Sequence, residues 1–240
     1  MAYPPAYPHD PIVEIAPEIF LARGAIALNP VLRISRNMVI IRNDGEITVI
    51  NPIRLNPEEE QKLKALGTVK HVLRSGAMHG LDDPYYVDTF GATFWCQEGG
   101  TTYTVPKIDH PLTEGCNLPF PNAELFCFRG TVQPESAILF NVGKGVLVMC
   151  DAVQHYGDYK HNNLPARLLM PFIGFPKTTI VGPIWVKIMT PDGQTLKPEF
   201  DRLLTLDFDA LISAHGSFLK TGAKPAVKTA VEKIYGAAGP

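Results

Sequence analysis

The sequence lacks the cysteine spacing and the charge excess that mark several common protein classes. Its cysteines are Cys96, Cys116, Cys127 and Cys150. None of them forms the Cys-x-x-Cys pair of zinc ribbons and thioredoxin-like redox proteins. The formal net charge is −2, and no basic block occurs that would attract a polyanion. We therefore expect no nucleic-acid partner.

Long apolar segments are also missing. No uninterrupted apolar run reaches the roughly 18 residues that a membrane-spanning helix needs. The first residues, MAYPPAYPHDP, have neither the basic nor the apolar region of a secretory signal. These absences predict a soluble cytoplasmic protein without a membrane partner.

Two groups of catalytic motifs are absent as well. The sequence has no Gly-x-Ser-x-Gly, so the nucleophile of an α/β-hydrolase is not indicated. It has neither Gly-x-Gly-x-x-Gly nor a Walker-type phosphate loop, so the usual modes of nucleotide binding are not indicated either.

The composition is that of a globular protein with many loops. Apolar residues make up 45% of the 240 residues, which is enough for a substantial core, and 22 prolines and 20 glycines imply short elements. Residues 1–11 are rich in proline and tyrosine and predict an extended N-terminal arm. Residues 12–240 are assigned to a single domain, in which 152–197 is the least regular part and is interpreted as a lid insertion.

Local signals predict the order of strands and helices. Asp44-Gly45 between two β-branched runs is a strong hairpin signal. Asn56-Pro57 followed by acidic residues predicts a helix start. Along the chain, hairpins are followed by alternating helices and strands, further hairpins and a last helix–strand–helix unit. This order predicts two packed sheets with helices outside.

The chemistry-bearing residues concentrate after one strand, Val69 to Leu73. The chain breaks at Ser75-Gly76 and then delivers His79, Asp82 and Asp83 before a helix near Pro84. A loop after a strand is a common place for a functional site. The alternative is an ordinary loop in which one of the two aspartates caps the helix.

Two other strands end in the same way. The apolar run Val146 to Cys150 ends at Asp151, and Ala210 to Ser213 leads to His215. Imidazole and carboxylate groups that converge from separate strand ends would suit zinc, iron or manganese. The alternative is a helix-capping Asp151 and a surface His215. His155 and His161 are interpreted as exposed loop residues rather than ligands.

These segments together resemble the metallo-β-lactamase superfamily. The stretches that carry the resemblance are NMVII with its Asp-Gly turn, VKHVLRSGAMHGLDD, VLVMCDAVQ and LISAHGS. NPIRL, MHGLDDPYYV and FDALISAHG are similar to a branch of that superfamily known only as a domain of unknown function. The resemblance implies an α+β fold, a four-layer αββα sandwich, and metal-dependent hydrolysis.

The sequence departs from the family at several ligand positions. If His79 takes the last position of the family's HxHxDH, Arg74, Gly76 and Met78 replace the earlier ligands. GTVQPES stands where the family has GHTPGS. The metal ligands that the resemblance leaves are His79, Asp83, Asp151 and His215, and the catalytic candidates are Asp82 and Asp83, either of which would be a ligand or the general base. Such a set would hold one divalent ion, with zinc expected first and iron or manganese as alternatives.

The favoured hypothesis is a metal-dependent hydrolase of a small, partly apolar ester- or lactone-like substrate. Leu164 to Pro176, with Trp185, would form a lid over the site. One alternative is a metal-free binding module of the same fold, and another is a mononuclear iron redox protein. The expected partner is a small molecule, and the apolar lid leaves a homodimer open.

Overall fold

The computed structural model describes residues 3–236. Residues 1–2 of the predicted arm (1–11) and residues 237–240 of the predicted domain (12–240) therefore lie outside the described residues. Within 3–236 the chain forms a seven-stranded sheet, a four-stranded sheet and a two-stranded sheet.

The larger sheet holds its strands in chain order. They are β1 (Val13–Ala16), β2 (Ile19–Ala27), β3 (Arg33–Asn43), β4 (Glu46–Ile50), β5 (Thr68–Arg74), β6 (Thr93–Cys96) and β7 (His110–Pro111). The pairs from β1 to β4 are antiparallel, and those from β4 to β7 are parallel. Asp44 and Gly45 join β3 to β4 with φ of 49° and 79°. Positive φ at both positions gives a primed turn, so the hairpin prediction is correct.

The second sheet has the order β13-β10-β9-β8. Its strands are β8 (Ala123–Cys127), β9 (Ser136–Phe140), β10 (Val146–Met149) and β13 (Ala210–Ser213). β10 and β13 are parallel neighbours, so their carboxyl ends lie side by side. β11 (Val153–His155) and β12 (Thr179–Val181) form the antiparallel two-stranded sheet.

The helices flank the sheets. They are α1 (Pro57–Leu66), α2 (Asp83–Phe90), α3 (Leu164–Leu169), α4 (Pro183–Met189), α5 (Lys197–Leu203) and α6 (Ala223–Tyr235), with a 3-10 turn at Met170–Ile173. The predicted start of α1 is confirmed, because the Asn56 side chain accepts a hydrogen bond from the Glu59 amide. Among the described residues, no helix combines the length and the apolar character needed to cross a membrane.

Three apolar clusters define the layers. Val39, Leu73 and Val148 belong to the cluster between the two large sheets. Outside the seven-stranded sheet, α1 and α2 bury apolar residues against its outer face. α5 and α6 do the same on the four-stranded sheet. A fully buried aliphatic or aromatic side chain contributes about 1.5–3 kcal/mol. The arrangement is an αββα sandwich, as predicted.

All residues predicted for the core are buried. They are Val39, Ile41, Val49, Leu73, Phe94, Leu139, Val146, Val148, Leu211 and Ile212. The segment 152–197 is more regular than expected, because it contains β11, α3, β12 and α4. These elements have three to seven residues each, too few to show a period of their own.

Candidate metal centre

Three strand ends bring His79, Asp151 and His215 together. Asp151 and His215 follow β10 and β13, which run parallel with Met149 paired to Ser213. His79 comes from the loop after β5 in the other sheet. That loop is tied to the second sheet by a backbone bridge between Gly76 and Glu135. The site therefore lies where the two sheets meet at one edge of the sandwich.

The Asp151 carboxylate lies between the two imidazoles. His79 Nε2 is 2.9 Å from Asp151 Oδ2, and His215 Nε2 is 3.3 Å from Asp151 Oδ1. The two ring centroids are 5.0 Å apart. One donor atom from each residue lies within 4.8 Å of the other two. Three of the four predicted metal ligands thus share one cluster.

The hydrogen bond on the far side of His215 identifies its tautomer. His215 Nδ1 is 2.6 Å from the carbonyl oxygen of Ser35. A carbonyl oxygen only accepts, so Nδ1 carries a proton, and in a neutral ring Nε2 would then have a lone pair. That lone pair faces a carboxylate oxygen, and two electron-rich atoms at this distance need a positive charge between them. A proton or a divalent ion would supply it, and the donor set suits an ion.

His79 is neutral near pH 7. Burial and the positive charge of Arg36 lower the pKa of His79 to about 4, against the opposing effect of Asp151. Its Nδ1 is buried and has no hydrogen-bond partner within residues 3–236. Burial raises the pKa of Asp151, but the neighbouring imidazoles outweigh burial and hold that pKa well below the ordinary value. Neutral imidazole and ionised carboxylate are the forms that bind metals.

Asp151 is supported by Gln154, which the sequence analysis missed. The Gln154 amide donates to the Asp151 backbone carbonyl at 3.0 Å and lies 3.4 Å from Asp151 Oδ1. The Tyr156 hydroxyl donates to Gln154 Oε1 at 2.7 Å. Contacts of this kind orient a metal-ligating carboxylate. Their only sequence signal is proximity to Asp151.

Glu135 is a second residue that the sequence analysis missed. Its carboxylate accepts hydrogen bonds from the amides of Asp151 and Ala152 at 3.0 and 2.7 Å and from Trp185 Nε1 at 2.7 Å. Glu135, Cys150 and Asp151 form another group of candidate ligand atoms. The carboxylate has donors on both oxygens, so its burial is explained without an ion. A lone glutamate before an apolar strand gives no sequence signal of this role.

The fold was compared with solved structures. DIM-1 metallo-β-lactamase exposed to ceftazidime superimposes with a TM-score of 0.65 at 12% identity, covering 96% of this chain and 100% of that one. FIM-1 from Pseudomonas aeruginosa in its mono-zinc form gives 0.65 at 10% identity, with 97% and 99% covered. The metallo-β-lactamase from Hirschia baltica gives 0.62 at 11% identity, with 93% and 96% covered.

The chain has the metallo-β-lactamase fold. No protein-family model and no curated protein matches the sequence. The branch of unknown function to which the sequence is similar therefore stays a prediction.

The structure does not bring Asp83 into the metal cluster of this metallo-β-lactamase fold. Asp83 Oδ2 accepts from Arg74 Nε at 2.6 Å, and both side chains are buried. Arg74, which stands at a ligand position of the family motif, therefore occupies the carboxylate that was predicted to bind metal. Asp83 also does not line the adjoining pocket. The expected role of Asp83 as ligand or base has no support in this geometry.

Asp82 also belongs to no candidate ligand group of the described residues. It holds the position before α2, but its side chain makes no capping hydrogen bond. Asp82 Oδ2 instead accepts from the Arg54 amide at 3.3 Å, and Oδ1 is buried without a partner among the residues that the structure describes. Burial raises the pKa of Asp82 to about 6. Asp82 does not line the pocket, so the geometry does not support it as the general base either.

A pocket of about 400 Å³ opens beside the cluster. Its polar lining consists of Arg36, His79, Tyr103, Asp151, Gln154, Tyr156 and His215. Its apolar lining includes Ile26, Leu28, Ile34, Met78, Met170, Ile173, Phe175, Ile184 and Trp185. Leu168 and Phe172, in the segment predicted to form a lid, are 64% and 88% exposed and lie outside the core between the sheets.

His155 and His161 make other contacts. His155 is in β11, where its Nδ1 is 2.9 Å from Thr179 Oγ1. His161 Nε2 is 3.0 Å from Asp10 Oδ2 in the N-terminal arm. Neither belongs to a candidate ligand group of the described residues. Both are partly buried, so the expectation of exposed loop residues is wrong.

Proposed function

We propose that the protein is a metal-dependent hydrolase of a small, partly apolar ester- or lactone-like substrate. The observation that carries the proposal is that His79 Nε2 and His215 Nε2 face the two oxygens of Asp151 at 2.9 and 3.3 Å. A cation at this point would satisfy both imidazoles and the carboxylate.

His79, Asp151 and His215 would hold the ion. Three protein ligands with an open position are the arrangement of catalytic zinc, while iron and manganese also accept these donors. When bound, such an ion supplies Lewis acidity toward a carbonyl oxygen and lowers the pKa of water to about 7.

A single ion is favoured over two. The family's first ligand positions are held by Arg74, Gly76 and Met78, and Arg74 brings a positive charge that is paired with Asp83. The carboxylate of Glu135 already accepts three N–H donors, so it is a weaker candidate for binding a second ion.

The chain's own residues would position the substrate. The apolar wall would bind its hydrocarbon part and exclude water, which strengthens electrostatic interactions in the pocket. Gln154 would keep the Asp151 carboxylate in place between the two imidazoles. Asp82 and Asp83 would act as framework residues and not in the chemistry.

Metal analysis of the untagged protein, combined with assays on p-nitrophenyl esters and lactones, tests the proposal. We expect about one ion per chain and ester or lactone hydrolysis that a chelator removes. His215→Ala should lose most of the metal, because a three-ligand site cannot spare one ligand. His161→Ala is the control and should retain it.

The outcomes separate the alternatives. Bound iron without hydrolysis would favour redox chemistry. A wild-type protein that binds no metal and hydrolyses nothing would overturn the proposal and favour a metal-free binding module.

A further inference from the structure

A buried arginine without a partner faces the same pocket. Arg36 lies on β3, is 4% exposed and lines the pocket beside His79. Its Nε and Nη2 are buried and have no hydrogen-bond partner in the described part of the chain. Arginine stays protonated at any pH that proteins tolerate. The pocket therefore contains a positive charge with two donor nitrogens that have no partner in the described residues.

An unpaired buried charge is costly, so it needs an explanation. One explanation is charge balance with Asp82, since Arg36 lowers the pKa of Asp82 against the larger effect of burial. No ion pair joins the two side chains, however, within the residues that the structure describes. Among the described residues, Asp151 is the only acidic one that lines the pocket, and its carboxylate faces the two imidazoles. The guanidinium is thus free for a ligand.

We propose that Arg36 binds a carboxylate of the substrate, so that the substrate is an anion with an apolar body. This inference rests on the proposed function in taking the pocket as the substrate site. The planar guanidinium fork matches a carboxylate with two parallel hydrogen bonds. Ile34, Met170 and Phe175 line the same pocket and would contact the hydrocarbon part.

Calorimetric titration with hexanoate and hexanamide tests the inference. The two probes have the same chain length and differ in charge. The metal-loaded wild type should bind hexanoate about tenfold more tightly than hexanamide, since hydrogen bonds to charged groups contribute that much. Arg36→Met should abolish this preference and leave hexanamide affinity unchanged. Arg36→Lys should keep part of it, because it retains the charge without the fork.

A bound ion also attracts carboxylates, so His215→Ala is titrated in parallel. If Arg36 is responsible, the preference persists in His215→Ala. Equal affinity of the wild type for both probes would overturn the inference, and so would a full preference in Arg36→Met. If Arg36→Met does not fold, as judged by circular dichroism, Arg36→Lys decides: undiminished hexanoate affinity overturns the inference. If the proposed function fails instead, the wild type binds no metal or shows no hydrolysis, but it still prefers hexanoate over hexanamide.

Discussion

Two buried arginines at the same end of the sandwich have opposite surroundings. Arg74 donates from Nε to Asp83 at 2.6 Å and from its terminal nitrogens to the carbonyls of Tyr103 and Val105 at 2.8 and 2.7 Å. Arg36 has no such partners in the described residues. The first guanidinium is part of a closed framework, while the second is open to a pocket.

The carboxylates of Asp83 and Asp151 differ in the same way as the two arginines. Asp83 is held by Arg74 and lies outside the pocket, whereas Asp151 faces two imidazoles at the pocket wall. Asp83 Oδ2 is paired with Arg74 Nε, while Asp83 Oδ1 is buried without a hydrogen-bond partner in the described residues. Groups left short of partners at a pocket are those that a ligand would complete. This difference places the candidate chemistry at His79, Asp151 and His215 together with Arg36.

The largest effect is expected from Arg74→Met. Removing the guanidinium leaves Asp83 as a buried, uncompensated charge and orphans two carbonyl groups. Loss of one partner of a buried ion pair costs about 3–5 kcal/mol of the free energy of unfolding. Urea denaturation followed by circular dichroism measures it.

Arg36→Met is the matched control for that variant. It removes an equally buried guanidinium that has no partner in the described chain. We expect the free energy of unfolding to stay within about 1 kcal/mol of wild type, or to increase. Equal losses in the two variants would contradict the distinction between a framework arginine and a pocket arginine.

The sequence predicts the turns, helix starts and strand ends better than it predicts the surroundings of individual side chains. Asp44-Gly45 and Asn56-Pro57 are local signals, and both produce the predicted turn and helix start. The three strand ends are also readable, since each apolar run stops before His79, Asp151 or His215. Their convergence could be expected only through the family resemblance, because strands from two different sheets supply them.

The sequence does not show which side chains pair with each other at the site. Arg74 and Asp83 pair because the end of β5 faces the start of α2, and sequence spacing alone does not determine that distance. The isolation of Arg36 depends on what is absent around it in three dimensions. Glu135 contacts Asp151 and Trp185 over long sequence separations. Such contacts have no periodicity and no local motif.

The next effect in size is the pH dependence of stability caused by Asp82. Burial raises its pKa to about 6 from an ordinary value of 3.8. Between these values the folded state binds the proton and the unfolded state does not. Wild type therefore loses stability as the pH rises from about 4 to 6, and the loss remains above that range.

Asp82→Asn removes this dependence. Relative to wild type, the variant should gain on the order of 2 kcal/mol in free energy of unfolding between about pH 4 and pH 7. Urea titrations at both pH values measure the gain. Asp192→Asn, in an exposed turn, is the control for loss of a charge without burial. If Asp82→Asn instead loses free energy of unfolding relative to wild type over this pH range, the Asp82 carboxylate has a partner in solution.

Gln154→Ala should have a smaller effect, and on metal binding. The side chain holds the Asp151 carbonyl and lies beside the Asp151 carboxylate. Loss of such a supporting contact lowers metal affinity by about tenfold, or about 1.4 kcal/mol. Competition with a chromophoric chelator measures it. Tyr156→Phe removes only the hydroxyl that donates to Gln154 and should weaken affinity less. Unchanged affinity in Gln154→Ala would show that Asp151 is held without it.

The smallest effect is expected from Phe172→Ser, in the segment predicted to form a lid over the pocket. Phe172 is 88% exposed, so its replacement should change the free energy of unfolding by less than about 0.5 kcal/mol. Its neighbour Ile173 lines the pocket entrance. If the segment Leu164 to Pro176 closes over a ligand, Phe172 buries apolar surface only in the bound state. Hexanamide and hexanoate should then both bind about threefold more weakly, because burial of a few tens of Å² contributes that much.

Calorimetry measures both affinities, with Val132→Ser as an exposed apolar control that does not line the pocket. Unaltered affinity for both probes would show that this segment stays open when the pocket is filled.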